Sequence, residues 1–323
     1  MKATKTDNMI IHPDSRVRLK QMGSIFEIRM TARQPEIKIK RLNKDEYIDL
    51  RTGAVETFSN DAKLRVHNIS TLRRTMADLK SIINTNTEFP SRCKHIVLTY
   101  KKVQSDPAEL YEDHRRFFQR VRYYHKKRGL PVPEYISVIE PQSRQSFHVH
   151  SVWVYPKKAP YISNDDLYSL WQEKGYTKIR AIKGDDIGAY LVSYLCDLPF
   201  EEAMQNGITD IDNVKVIEET DKAGNKRSKG FVKGARLKLF PSNFKIYRVS
   251  RNIKRPVVYD DITEAEAQKI IGSASLTYEK TITITSDDGK EYFNTIGYRY
   301  YNRKRGASNG KAINQSTTKP EGT

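Results

Sequence analysis

The chain has 323 residues, 37% of them hydrophobic, and sets 57 Lys and Arg against 39 Asp and Glu for a formal net charge of +18. A chain this long buries a core without disulfides, and no run approaches the roughly 18 apolar residues of a membrane span, so small cystine-stapled and membrane-spanning classes are excluded. The charge asks for a polyanionic partner, and basic residues spread over several elements, rather than along one amphipathic helix, favour nucleic acid over anionic lipid.

The cysteines are two, Cys93 and Cys196, and the N-terminal residues show no apolar leader. Both features set the expectation of a reducing cytoplasm, with no membrane partner.

Roughly the first ten to twenty residues read as unstructured. Ile25 to Met30, Glu36 to Lys40 and Tyr47 to Leu50 then read as short strands, and Arg51-Thr52-Gly53 turns into a further one at Ala54 to Phe58. From Ser70, Leu72, Met76, Leu79 and Ile83 recur at helical spacing, and the helix stops before Phe89-Pro90. His95 to Tyr100 is a β-branched interior strand. Ser105 or Asp106 caps the next helix, with Pro107 in its first turn, an apolar face of Leu110, Phe117, Phe118, Val121 and Tyr124, and Gly129 as its stop.

Tyr135 to Glu140 and Phe147 to Tyr155 are strands whose six-residue connection permits an antiparallel hairpin. A helix over Asp165 to Lys174, a strand over Lys178 to Ile182 and a helix over Asp186 to Cys196 follow. The pattern is α+β, a central antiparallel sheet with flanking helices and extra β-rich segments at both ends. Beyond residue 200 there is a strand at Val214 to Glu218, a basic loop over 220–234, and a strand pair from Arg236 to Phe240 and Lys245 to Val249. A capping box, Thr263-x-x-Glu266, opens a short helix, and a final hairpin runs from Thr281 to Tyr300. The expected divisions are 1–65 as an accessory segment, 66–258 as the main domain, 259–302 as a helix plus hairpin, and 303–323 as a disordered basic tail.

Within Phe147 to Val154, His148 and His150 project to the same side of a strand about 7 Å apart, near enough to share one divalent ion. The alternative is a pair of surface histidines. Glu140 ends the partner strand, where its carboxylate can approach both imidazoles or simply be solvated. On the later helix Tyr190 and Tyr194, four apart, flank the Ile187, Leu191, Leu195 stripe. They are either packing residues with wet hydroxyls or nucleophiles, since a phenol attacks a phosphodiester once a cation activates its target. Lys222, Lys226, Arg227, Lys229 and Lys233 crowd one segment and read as phosphate contacts or as solubilising charge.

The ordered set of the Ile96-Val97-Leu98-Thr99-Tyr100 strand, Glu140 with His148-Val149-His150, and a helix bearing Tyr190 and Tyr194 resembles the three motifs of the HUH endonuclease superfamily. Within it, the chain is most similar to rolling-circle replication initiators (Rep proteins) of bacterial plasmids, phages and integrative elements, over roughly residues 66 to 258. The resemblance implies an RRM/ferredoxin-like core and a nicking and joining enzyme. Its Mg or Mn would be held by His148, His150 and Glu140. Tyr190 would attack first, leaving a 5′-phosphotyrosine and a free 3′-hydroxyl, with Tyr194 available for a second transfer.

The implied substrate is single-stranded or hairpin origin DNA. A host DNA polymerase extends the 3′-hydroxyl, and a host helicase separates the strands, because the chain lacks a Gly-x-x-x-x-Gly-Lys-Ser/Thr motif. Family members commonly carry Lys three residues after each tyrosine, where this chain has Ser193 and Asp197. Lys183 or Lys178, just before the helix, are the substitutes nearest in sequence. The competing readings are a non-catalytic DNA-binding module on the same fold, or a related transposase or relaxase.

Overall fold

The computed structural model describes residues 2–34, 38–58, 69–142, 146–208, 214–220, 226–240 and 244–305. The chain divides into two compact units, one made of Met1–Gln34 and Val257–Thr323 and the other of Pro35–Pro256.

The first unit opens with strands β1 (Lys2–Thr6), β2 (Arg16–Met22) and β3 (Ile25–Thr31). The two turn residues between β2 and β3 include Gly23 at φ 64°, a left-handed conformation that suits glycine. The opening residues thus form strands, against the expectation of an unstructured start. Lys2–Thr6 has no apolar pattern to announce it, and its pairing partner lies more than 270 residues away.

The second unit begins with a small sheet of β4 (Ile39–Arg41), β5 (Glu46–Asp49) and β6 (Val55–Thr57). Helix α1 (Ile69–Asn86) follows and buries Leu72, Met76, Leu79 and Ile83, the predicted face. Strand β7 (Cys93–Leu98) leads into α2 (Pro107–Lys127), where the Asp106 carboxylate accepts from Ala108 N at 2.8 Å and Pro107 fills the first turn. Strands β8 (Glu134–Pro141) and β9 (Phe147–Val154) form the central hairpin. They are succeeded by α3 (Asn164–Leu170), β10 (Thr177–Ala181) and α4 (Ile187–Cys196), then β11 (Leu198–Pro199), α5 (Phe200–Gln205), β12 (Val214–Thr220), β13 (Lys226–Val232) and β14 (Tyr247–Val249).

The main sheet of this unit is five-stranded and antiparallel, in the order β10-β7-β9-β8-β14. Side chains alternate along β9, so Phe147, Val149 and Trp153 share one face. Trp153 lies 6.0 Å from Phe117 and 5.9 Å from Phe118 between ring centroids, which places α2 on that face. His148 and His150 therefore belong to the other.

Two segments differ from expectation. Residues 226–232 of the expected loop are strand β13, paired with β12 from Val214↔Val232 to Thr220↔Lys226. Arg236 to Phe240 is no strand: Ala235–Leu239 coil into a 3-10 turn entered through Gly234 at φ 72°. The Arg-Leu-Lys-Leu-Phe alternation imitates a strand, but the turn and the burial of Arg236 prevail.

The chain returns to the first unit with β15 (Val257–Thr263), α6 (Glu264–Ile271), β16 (Ser275–Thr285) and β17 (Tyr292–Asn302). The capping box is present, with Glu266 N donating to Thr263 Oγ1 at 3.2 Å and Thr263 N donating to Glu266 Oε2 at 2.7 Å. The six strands lie in the order β1-β16-β17-β3-β2-β15, so both ends of the chain, read separately in the sequence, share one sheet. Among the described residues no helix is long and apolar enough to cross a membrane, and both cysteines are free and buried.

Candidate active site

The β8–β9 register sets Glu140 directly opposite His148 and Val138 opposite His150. Cross-strand partners point to the same face, so the carboxylate and both imidazoles meet. His150 Nε2 lies 2.8 Å from Glu140 Oε2, and His148 Nδ1 lies 3.9 Å from the same oxygen. Glu140 is 3% exposed and His150 4%. A buried charge needs partners, and this one has them on both oxygens.

The second partner is Arg236, itself buried. Its Nη1 stands 3.0 Å from Glu140 Oε1 and donates to the Pro141 carbonyl at 3.2 Å, while its Nε donates to the Asp197 carbonyl at 3.3 Å. Asp197 in turn accepts from Gly234 N at 2.9 Å through Oδ1. One guanidinium thus ties the end of β8 to the residue that follows α4. Asp197, which departs from the resembled pattern, anchors this turn. Sequence reasoning missed Arg236, because nothing local separates it from the other basic residues.

His95 of β7 is the second addition. Its Nε2 is 3.4 Å from His150 Nδ1, and the rings stack at 5.5 Å with 22° between planes. Burial, then the charges of His150 and Arg180, push its pKa down to about 4, so it is neutral at pH 7. Burial likewise lowers His148, with Glu140 opposing. Burial alone would raise the Glu140 carboxyl, but the His150 hydrogen bond and the charges of His150, Arg236 and His148 outweigh it and hold the group below the usual carboxylate range. Glu202 of α5 adds a further carboxylate that acts on His148, and its Oε1 is buried without a hydrogen-bond partner among the described residues.

Neutral imidazoles and an ionised carboxylate on one face are a donor set that suits Mg or Mn chemically. Among the described residues, however, no group of three or more His, Cys, Asp or Glu is spaced as a metal cage. Glu140 instead closes onto His150 and Arg236, and an ion would replace the His150–Glu140 hydrogen bond.

Helix α4 presents Tyr190 to solvent, 66% exposed. Its start is fixed by Asn84 of α1, whose Oδ1 accepts from Gly188 N at 2.7 Å and whose Nδ2 donates to Asp186 Oδ1 at 2.8 Å. Asp186 Oδ1 also accepts from Ala189 N at 3.0 Å, and Lys80 Nζ lies 3.9 Å from Asp186 Oδ2. The approach of α1 to α4 is close enough that a Cβ on Gly188 would meet the Lys80 carbonyl oxygen at 2.4 Å. Burial pushes the neighbouring Cys196 thiol up to about 12, which leaves it inert as a nucleophile.

Ser193 and Tyr194 lie outside the residues whose side chains are described, as do Lys226 and Arg227, and Lys222 lies outside the described residues altogether. Lys183, Lys229 and Lys233 are exposed and Lys178 half-buried.

Residues 93–198 match the family model of the replication-associated protein ORF2 type. The matched stretch runs from the first residue of β7 to β11 and includes Glu140, His148, His150 and Tyr190. No curated protein and no solved structure matches the chain. The match ties this part of the second unit to replication and is consistent with a replication initiator.

Proposed function

We propose that the protein initiates rolling-circle replication by nicking and rejoining single-stranded origin DNA through a tyrosine. The observation that carries this reading is the convergence of Glu140, His148 and His150 on one face of the β8–β9 hairpin, inside the stretch that matches the replication-associated family.

Glu140, His148 and His150 would hold a divalent Mg or Mn, which when bound polarises a scissile phosphate. Arg236 keeps Glu140 ionised and its carboxylate aimed at the histidines. His95, neutral and stacked on His150, fixes the plane of that ring. The exposed Tyr190 hydroxyl attacks phosphorus: a phenolic O–P bond forms, the bond to the 3′-oxygen breaks, and the phenolic proton is lost as the leaving oxygen gains one. The products are a 5′-phosphotyrosine and a 3′-hydroxyl. One phosphoester replaces another, so the step can run backwards to rejoin the strand. Lys183, exposed shortly before α4, is the proposed phosphate contact in place of the lysine absent at 193.

The test is incubation of a single-stranded origin oligonucleotide with the full-length protein and Mn²⁺. A covalent protein–DNA adduct that Tyr190→Phe abolishes and Tyr194→Phe weakens or spares supports the reading. An adduct undiminished in the double variant refutes it, and DNA binding without cleavage in either Mg²⁺ or Mn²⁺ returns the chain to a binding module.

A further inference from the structure

The six-stranded sheet of the first unit has two unlike faces. On one, Val17, Leu19, Phe26 and Ile28 pack with Ala267 and Ile271 of α6, and Tyr301 Oη accepts from Gln268 Nε2 of that helix at 2.9 Å. Alternation sends the neighbours of these residues to the opposite face.

The register there pairs Tyr278 with Tyr300, Lys280 with Tyr298, Tyr298 with Arg29, and Arg29 with Arg18 across four adjacent strands. Tyr278 is 51% exposed, and its ring lies 5.9 Å from that of Tyr300. Lys280 Nζ sits 5.0 Å over the Tyr298 ring.

Two observations call for an anion on this face. Arg18 and Arg29 are directly opposite each other, an arrangement of like charges that destabilises a sheet by itself. Arg29 Nε is buried without a hydrogen-bond partner among the described residues. Asp260, 2.8 Å from Arg18, and Glu27, 3.9 Å from Lys20, offset only part of the charge.

We infer that this face is a platform for single-stranded DNA, on which bases stack against Tyr278 and Tyr298 while phosphates meet Arg18, Arg29 and Lys280. Rings and cations without a built base-edge pocket give sequence-tolerant binding, and paired bases in a duplex offer no open faces to stack. The inference does not rest on the nicking reaction, since it concerns binding by the other unit.

The experiment uses the full-length protein and a labelled oligothymidine of about 20 nucleotides, followed by fluorescence anisotropy. Tyr278→Ala with Tyr298→Ala should weaken binding about tenfold, while the corresponding Phe pair keeps wild-type affinity. Photo-crosslinking of an iodouracil oligonucleotide to the wild-type chain should label the peptides carrying Tyr278 or Tyr298, which reads the site without any variant. Unchanged affinity in the Ala pair, an equal loss in the Phe pair, an equal loss on blunt duplex, or crosslinks confined to residues 35–256 would overturn the inference. Tyr190→Phe should bind this oligonucleotide like wild type while losing the adduct, so failure of one proposal is told apart from failure of the other.

Discussion

Replacing Arg236 with Met should destabilise the second unit by about 4 kcal/mol. Removing one member of a buried pair typically costs roughly 3–5 kcal/mol, because the remaining charge is left uncompensated. Here Glu140 retains His150 at 2.8 Å, which argues for the lower part of that range. The Pro141 and Asp197 carbonyls, however, each lose a donor, which adds about 1 kcal/mol apiece. Glu140→Gln combined with Arg236→Met removes the stranded charge, so the double variant should be more stable than the sum of the single losses by about 2 kcal/mol. Tryptophan fluorescence in urea reads this unit alone, since the chain has two tryptophans and both, Trp153 and Trp171, are fully buried in it. A loss under about 1 kcal/mol, or strict additivity in the cycle, would refute the claim that Arg236 holds Glu140 in place.

Gly188→Ala should cost about 2 kcal/mol despite the better helix propensity of Ala, because its Cβ would meet the Lys80 carbonyl at 2.4 Å and the Asn84 amide at 2.7 Å; urea midpoints check this, and a stabilised variant would contradict it. Acid should unfold the second unit through His114, which is buried and whose pKa burial, then Arg248, lowers from 6.5 to about 3. A histidine depressed in the fold contributes stability that is intact above 6.5 and is lost as pH falls from there toward 3, at most roughly 5 kcal/mol; His114→Leu should flatten that slope, and an unchanged acid midpoint would count against it. Alanine at Lys222, Lys226, Arg227, Lys229 and Lys233 together should reduce the salt slope of single-strand binding by about 0.7 for each residue that meets a phosphate. An unaltered slope would return the five to solvated surface.

The parts of this molecule that follow a local period were readable from its sequence. The α1 face, the Asp106-Pro107 cap and the β8–β9 hairpin all follow from neighbours in the chain, and the hairpin alone brings Glu140 to His148 and His150. What escaped depends on residues distant in sequence. Lys2–Thr6 is a strand because β16 offers an edge, and Asp186 is held by Asn84 from a helix about a hundred residues earlier. Arg236 is set opposite Glu140 by a 3-10 turn whose residues alternate like a strand. Locally, His95 marks only the start of a strand. Its partnership with His150 requires knowing that β7 and β9 are neighbours.

The most direct test of the central claim is to map the DNA adduct. Single-stranded origin DNA, full-length protein and Mn²⁺, followed by proteolysis and mass spectrometry, should give a nucleotide-bearing peptide from α4 modified at Tyr190, with no adduct when His150 or Glu140 is replaced. An adduct on a peptide outside α4, or one that persists without His150 and Glu140, would contradict the account.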